Sequence, residues 1–205
     1  MIAALYVEKN GPYFNLDGVD QWDESRDARR YCGPHPVVAH PPCERWGRYW
    51  SGGPSAKVRR LKGDDQGCFD RALWAVRTFG GVLEHPAHAH SWKYHGIVAP
   101  EIRGWWPADD HKGYICQVAQ GHYGHPAEKL TWLYSVGKDG TPLPEIKWGR
   151  CSGKQRLDEG FHSKEERASA RAAGKKPIPR LSKAQNIHTP IPFRDLLISI
   201  AMSCV

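Results

Sequence analysis

The chain has 205 residues, 40% of them apolar and 25% charged, with a formal net charge of +7. That size and balance predict one globular domain with an appendage. No apolar run approaches the roughly 18 residues that a membrane span needs. The amino terminus lacks a basic-then-apolar leader pattern, so a cytoplasmic location and no membrane partner are expected. Six cysteines, at 32, 43, 68, 116, 151 and 204, lack the close pairs of a disulfide framework or a zinc ribbon, so reduced thiols are expected.

In chain order, Ile2 to Val7 reads as a first strand closed by the turn signal Asn10-Gly11-Pro12. Asp20 to Arg30 is polar and predicts a short helix or loop. Gly33-Pro34 then restarts the chain into a strand at Val37. The Gly52-Gly53-Pro54 turn and the basic run Lys57 to Lys62 predict a mobile loop. Asp64 to Phe79 is the clearest helix, with Asp64 or Asp65 as cap and Phe69, Leu73, Val76 and Phe79 at helical spacing; Gly80-Gly81 ends it. Val82-Leu83 begins a second buried strand that ends in LEHP, with Glu84 at its tip. Strand, helix and strand of these lengths predict a βαβ unit. Ala87 to His111, rich in His, Trp and Pro, predicts irregular chain. Tyr114 to Gln120 and Thr131 to Val136 predict an antiparallel pair. Glu165 to Ala173 has helix propensity with little apolar face, and Phe193 to Met202 predicts an apolar helix that Pro190 and Pro192 introduce.

The net charge is not spread evenly. Eleven Lys and Arg stand against four acids from Lys147 to Lys183, which accounts for the whole +7 and leaves 18 basic and 18 acidic residues elsewhere. A neutral core with a polyanion-facing arm is the expectation, set against a merely solvated charged face. Lys154, Arg156, Lys164, Arg167, Arg171, Lys175, Lys176 and Arg180 are the candidate phosphate contacts, and nucleic acid, DNA first, is the expected partner.

The stretch VVAHPPCERWG, Val37 to Gly47, carries the chemistry. Val37-Val38 is a strand end, and Pro41-Pro42 cannot continue a ladder because they lack the backbone donor. Cys43 therefore sits on a loop at a strand's carboxyl end, among His40, Arg45 and Arg48, where ligands and reactive groups collect in open α/β sheets. The βαβ reading places Glu84 at the same edge. A metal site is the rival use of His40 and Cys43 with Cys32, His35, His85, His88 and His90. The spacing matches no standard zinc pattern, and no metal is predicted.

HPPC (His40 to Cys43), LEHP (Leu83 to Pro86), QGHYGHPAEKLTWLY (Gln120 to Tyr134) and TPIPFRDLLISIA (Thr189 to Ala201), in that order on suitable elements, resemble the motifs of the cytosine carbon-5 DNA methyltransferases. In particular the chain is similar to the short, divergent homologues in phage genomes, which would make the cytoplasm that of a bacterial host. The resemblance implies an α/β fold, a Rossmann-like methyltransferase-type sheet with an antiparallel strand pair and a terminal helix. Residues 1–137 with 186–205 would form that domain, and 138–185 a basic insertion. It implies Cys43 as nucleophile at carbon 6 of a pyrimidine and Glu84 as the group holding ring nitrogen 3, with Lys129 and Arg45 as assisting cations. His40, Pro42, His85, Trp46, His125 and Thr131 would line the substrate side. Trp50, Trp92, Trp105 and Trp106 lie with Trp46 on the loops expected at that edge, where aromatic faces can stack on an extruded base. S-adenosylmethionine is the implied methyl donor, with Asn10, Gly11 and Thr189 as cofactor-side residues. Two features depart from the pattern: the glycine-rich turn after the first strand is reduced to Gly11, and the large target-recognition region is replaced by the basic segment. A donor other than S-adenosylmethionine, a free nucleotide as substrate, or a non-catalytic nucleic-acid-binding protein that keeps the fold are the alternative readings.

Overall fold

The computed structural model describes residues 1–52, 57–58, 60–137, 143–157, 164–174 and 179–204. The strands are β1 (Ile2–Leu5), β2 (Val19–Trp22), β3 (Val37–Ala39), β4 (Gly81–Pro86), β5 (Trp106–Pro107), β6 (Tyr114–Ala119) and β7 (Leu130–Val136). They form one mixed sheet in the order β2-β1-β3-β4-β7-β6-β5. The first four are parallel to one another, and the pairings β4-β7, β7-β6 and β6-β5 are antiparallel. The expected βαβ unit and antiparallel pair are both present.

Alternation along the buried strands separates two cores. Ala3, Leu5, Val37, Ala39 and Leu83 face α1 (Cys68–Phe79), which buries Phe69, Ala72, Leu73, Ala75 and Val76 on that side. Ile2, Ala4, Val38, Val82 and Leu133 face α5 (Ile191–Ser203), which buries Phe193, Leu197, Ile200 and Ala201. A sheet covered on both faces explains why β1, β3 and β4 read as apolar runs rather than as alternating strands. Among the described residues no helix is long and apolar enough to cross a membrane.

Several expected boundaries move. β1 ends at Leu5, because Tyr6 turns into the left-handed region at φ 59°. The polar segment after Asp20 supplies the edge strand β2 rather than only helix or loop. α1 begins at Cys68, and Asp65 acts on it from outside: its carboxylate accepts from the N–H of Gly67 at 3.0 Å and of Phe69 at 2.9 Å. Residues 87–111 contain the short helix α2 (His90–Tyr94) and β5. The basic segment contains α3 (Lys164–Ala172) and is followed by α4 (Lys183–Ile187), whose Ser182 and Gln185 form a capping box. Pro192 lies within the first turn of α5, where its missing N–H has no partner to lose.

Gly81 is required by contact rather than by the end of α1. Its φ is +118°, and a Cβ there would collide with the Val37 carbonyl oxygen, so β3 and β4 meet at this point only over a glycine.

The segment 138–185 is not a free arm throughout. Ile146 is buried against the α5-side core, the Trp105 indole donates to the Pro144 carbonyl at 3.0 Å, and Arg150 forms a two-pronged pair with Glu128 at 2.6 Å. Gln155 N–H bonds the Pro126 carbonyl at 3.0 Å. Of the expected mobile loop, residues 53–56 and 59 lie outside the described residues.

Candidate active site

The register of β3 and β4 pairs Ala39 with Leu83, and the next residues, His40 and Glu84, are joined by a 3.0 Å bond from His40 Nδ1 to Glu84 Oε2. The other carboxylate oxygen, Oε1, accepts from Gln120 Nε2 at 3.1 Å, and the same amide donates to Thr131 Oγ1 at 2.9 Å. The Thr131 hydroxyl in turn donates to the Lys129 carbonyl at 3.3 Å. A carboxylate only accepts, so the Gln120 amide nitrogen and the protonated Nδ1 of His40 must face it. The Gln120 Oε1 atom is buried and has no partner.

Burial alone would raise the Glu84 carboxyl. The His40 hydrogen bond, with the positive fields of His40 and Lys129, outweighs it and brings the group down to about 2, so Glu84 is ionised at neutral pH. Lys129 is itself lowered by burial, while Glu84 and Cys43 oppose that shift. Its backbone lies at φ +40°, a conformation that side chains rarely adopt, held here by the Gln120 N–H on its carbonyl at 3.2 Å.

Cys43 is exposed to solvent but hemmed closely enough by protein that desolvation raises its thiol, with Glu84 raising it further and Lys129 pulling it down. Cys43, Glu84 and Lys129 thus act on one another electrostatically, and Cys43 rests as a thiol. Its carbonyl accepts from Trp46 N–H at 3.0 Å and Gly47 N–H at 3.1 Å, which folds the loop into a tight turn. Trp46 anchors that turn. It is 2% exposed, and its indole donates to Asp65 Oδ2 at 2.7 Å, the oxygen that also takes the Phe69 N–H at the start of α1.

The remaining ring nitrogen of His40, Nε2, lies 2.9 Å from the hydroxyl of Tyr13. Tyr13 is 2% exposed and follows the turn after β1, whose Pro12 carbonyl accepts from Arg194 of α5 at 2.7 Å.

No protein-family model matches this chain, and no curated protein does.

The predicted site residues divide by position. Cys43, Glu84, Lys129 and His40 come together, with Pro42 exposed beside Cys43 and Arg45 half-buried in the same turn. His40 was expected to touch substrate, but both its ring nitrogens are engaged by protein. His85 is corrected to a core residue. It is fully buried, with its ring 4.9 Å from Phe69 and 5.9 Å from Trp92, on the side of β4 opposite Glu84. Trp46 is likewise an anchor rather than a stacking face. His125 is buried and turned onto its own loop, with Nδ1 accepting the Ala127 N–H at 3.1 Å; Thr131 is buried and acts through Gln120.

Asn10 and Gly11, the expected cofactor-side residues, lie in the turn after β1. Their turn closes on itself through Gly11 N–H to the Glu8 carbonyl at 2.9 Å, and a Cβ on Gly11 would meet that same oxygen. That turn accounts for the glycine. Thr189 is half-buried ahead of α5. Lys154, Arg171 and Arg180 are exposed and Arg156 is half-buried. Lys164 and Arg167 belong to α3, and Lys175 and Lys176 lie outside the described residues.

Two residues of the cluster were not singled out from the sequence. Gln120 stands at the end of β6 inside a quoted motif, and a buried amide at a strand's end beside the predicted carboxylate was the available signal. Tyr13 had none locally, since its bond to His40 spans 27 positions.

Proposed function

We propose that this chain modifies carbon 5 of a pyrimidine base in DNA through covalent addition of Cys43 to carbon 6. The observation that carries the reading is the meeting of an exposed cysteine and a half-buried ionised glutamate, at the carboxyl ends of β3 and β4, with a half-buried lysine just ahead of β7. Carbon 5 of a pyrimidine is too poor a nucleophile to take an electrophile directly, and a thiolate at carbon 6 makes it enamine-like. Such a site needs a cysteine open to substrate, a cation to hold the thiolate, and an acid for ring nitrogen 3 as charge develops there. Cys43, Lys129 and Glu84 supply these in turn.

The antiparallel pair, the terminal helix and the positions of Cys43 and Glu84 support descent from the methyltransferase-type fold. The self-closed turn at Asn10-Gly11 favours a donor other than S-adenosylmethionine, and the steps proposed here run only through the base and this chain's own residues.

The test is independent of any donor. Addition at carbon 6 lets carbon 5 exchange its hydrogen with water, so duplex DNA tritiated at cytosine carbon 5 should release label in the presence of the protein. Cys43→Ala should abolish release while leaving DNA binding intact. Release that persists in Cys43→Ala would sink the proposal. Mass spectrometry of nucleosides from cells expressing the protein would then identify the group added.

A further inference from the structure

The Glu84 carboxylate presents a chemical difficulty for the role just proposed. To place a proton on ring nitrogen 3 it must first acquire one, yet its surroundings hold it ionised with both oxygens occupied. A hydrogen-bonded route for a proton leads to it through His40. His40 Nδ1 faces Oε2 at 3.0 Å, and His40 Nε2 faces the Tyr13 hydroxyl at 2.9 Å. The imidazole is nearly closed off from solvent, at 13% side-chain exposure, and Tyr13 is 2% exposed.

We propose that His40, held in place by Tyr13, relays to Glu84 the proton that Glu84 delivers to the base. The inference rests on the function proposed above and names positioning residues for it. A tyrosine hydroxyl both donates and accepts. When His40 is cationic its Nε2–H donates to Tyr13; when His40 is neutral the Tyr13 O–H rotates and donates to Nε2. The ring therefore keeps its bonds to Tyr13 and Glu84 with or without the extra proton, and stays oriented toward the carboxylate. Burial, and then the Glu84 charge, push the Tyr13 phenol well above its ordinary range, so it swivels and does not ionise.

In the step itself Cys43 Sγ, having lost its proton to water, bonds to carbon 6. The π pair between carbons 5 and 6 moves to join carbons 4 and 5, and the pair between carbon 4 and ring nitrogen 3 moves onto that nitrogen. Cationic His40 passes its Nδ1 proton to Glu84 Oε2, and Glu84 hands that proton to nitrogen 3, which leaves Glu84 ionised again and His40 neutral. Collapse of the adduct returns the proton by the same path. Besides Tyr13 and Glu84, the groups acting on this relay are Cys43 on its own loop, His85 in β4, Lys129 ahead of β7, and Arg194 and Asp195 in α5.

The test uses the full chain and tritiated duplex DNA across a range of pH. His40→Gln should lower tritium release roughly 100-fold at alkaline pH, with the deficit narrowing as solvent acid becomes available. Tyr13→Phe, which keeps the ring and its packing, should show the same pH-dependent deficit at smaller size. A uniform loss at every pH, parallel to the native profile, would mean that the pair only shapes the site and would overturn the relay. If the native protein shows no Cys43-dependent release, the parent reading fails, and the relay with it. Nitrogen-15 spectra of His40 separate the geometry from activity. Neutral His40 should carry its proton on Nδ1 in the native protein, and a proton on Nε2 with a bare Nδ1 would overturn the relay even where release is normal.

Discussion

Glu84 and His85 are neighbours in β4 that point to opposite sides of the sheet, and acid acts on them in two separate windows. Burial brings the His85 ring down from its ordinary 6.5 to about 4, with Glu84 and the Pro41 carbonyl opposing. The unfolded chain therefore binds this proton first, and stability falls as pH drops from about 6.5 to about 4. Glu84 is held near 2 against an ordinary 4.5, so its contribution is complete above 4.5 and is lost as pH falls toward 2. Urea midpoints measured against pH should show both declines. His85→Leu should flatten the curve between 6.5 and 4, and Glu84→Gln should flatten it only below 4.5. A native slope between 6.5 and 4 in His85→Leu would contradict the burial of an uncharged ring. Alternation along a strand already implies that two adjacent residues cannot both face the substrate. What the residue types alone do not reveal is which of the two turns outward, because both sit in a motif that ends at a proline.

Between elements, the contact that decides the site is β3 against β4. Gly81→Ala would drive a methyl into the Val37 carbonyl from a backbone at φ +118°, and β3 would have to move. A loss of about 3 kcal/mol or more in unfolding free energy is expected, with the urea slope unchanged. Because the same movement separates His40 from Glu84, tritium release should fall further than stability alone predicts. An alanine variant of native stability would remove the argument for close approach. This unit was legible in the sequence because two short apolar runs, Val37-Val38 and Val82-Leu83, are punctuated by Pro41-Pro42 and Gly80-Gly81 around a periodic helix. β2 was not. All four of its residues are half-buried, and VDQW at a sheet edge shows neither an apolar run nor a buried face. The contribution of Tyr13 was hidden for a related reason. Its bond to His40 follows from β1 lying beside β3, a pairing that no local pattern records.

At the scale of the whole molecule, the charge asymmetry is the feature most directly readable from composition, since it needs only counting along the chain. Its structural form is less simple. Ile146 and Leu181 are buried, and Arg150 pairs with Glu128, so part of the basic segment is bound to the core. Lys154, Arg171 and Arg180 remain exposed. Duplex DNA affinity, measured by fluorescence anisotropy from about 50 to about 200 mM salt, should fall steeply. Lys154→Glu combined with Arg171→Glu should reduce the logarithmic salt slope by about 2, about one for each phosphate that the variant no longer neutralises. A slope that the double variant leaves unchanged would count against phosphate neutralisation by these two residues.

The guanidinium of Arg194 has a consequence for the order in which the molecule is made. It holds the Pro12 carbonyl, one residue before Tyr13, across 182 positions of sequence. While the ribosome is still working on the basic segment, the Tyr13 turn has no such tether, and Ile2, Val38, Val82 and Leu133 lie on a sheet face that α5 has yet to cover. The Cys43 loop and Glu84 are synthesised early, but the Pro12 tether is added only when residues 191–203 emerge. A nascent chain stalled before that point would carry the Cys43 loop and Glu84 with the Tyr13 turn untethered and one sheet face bare.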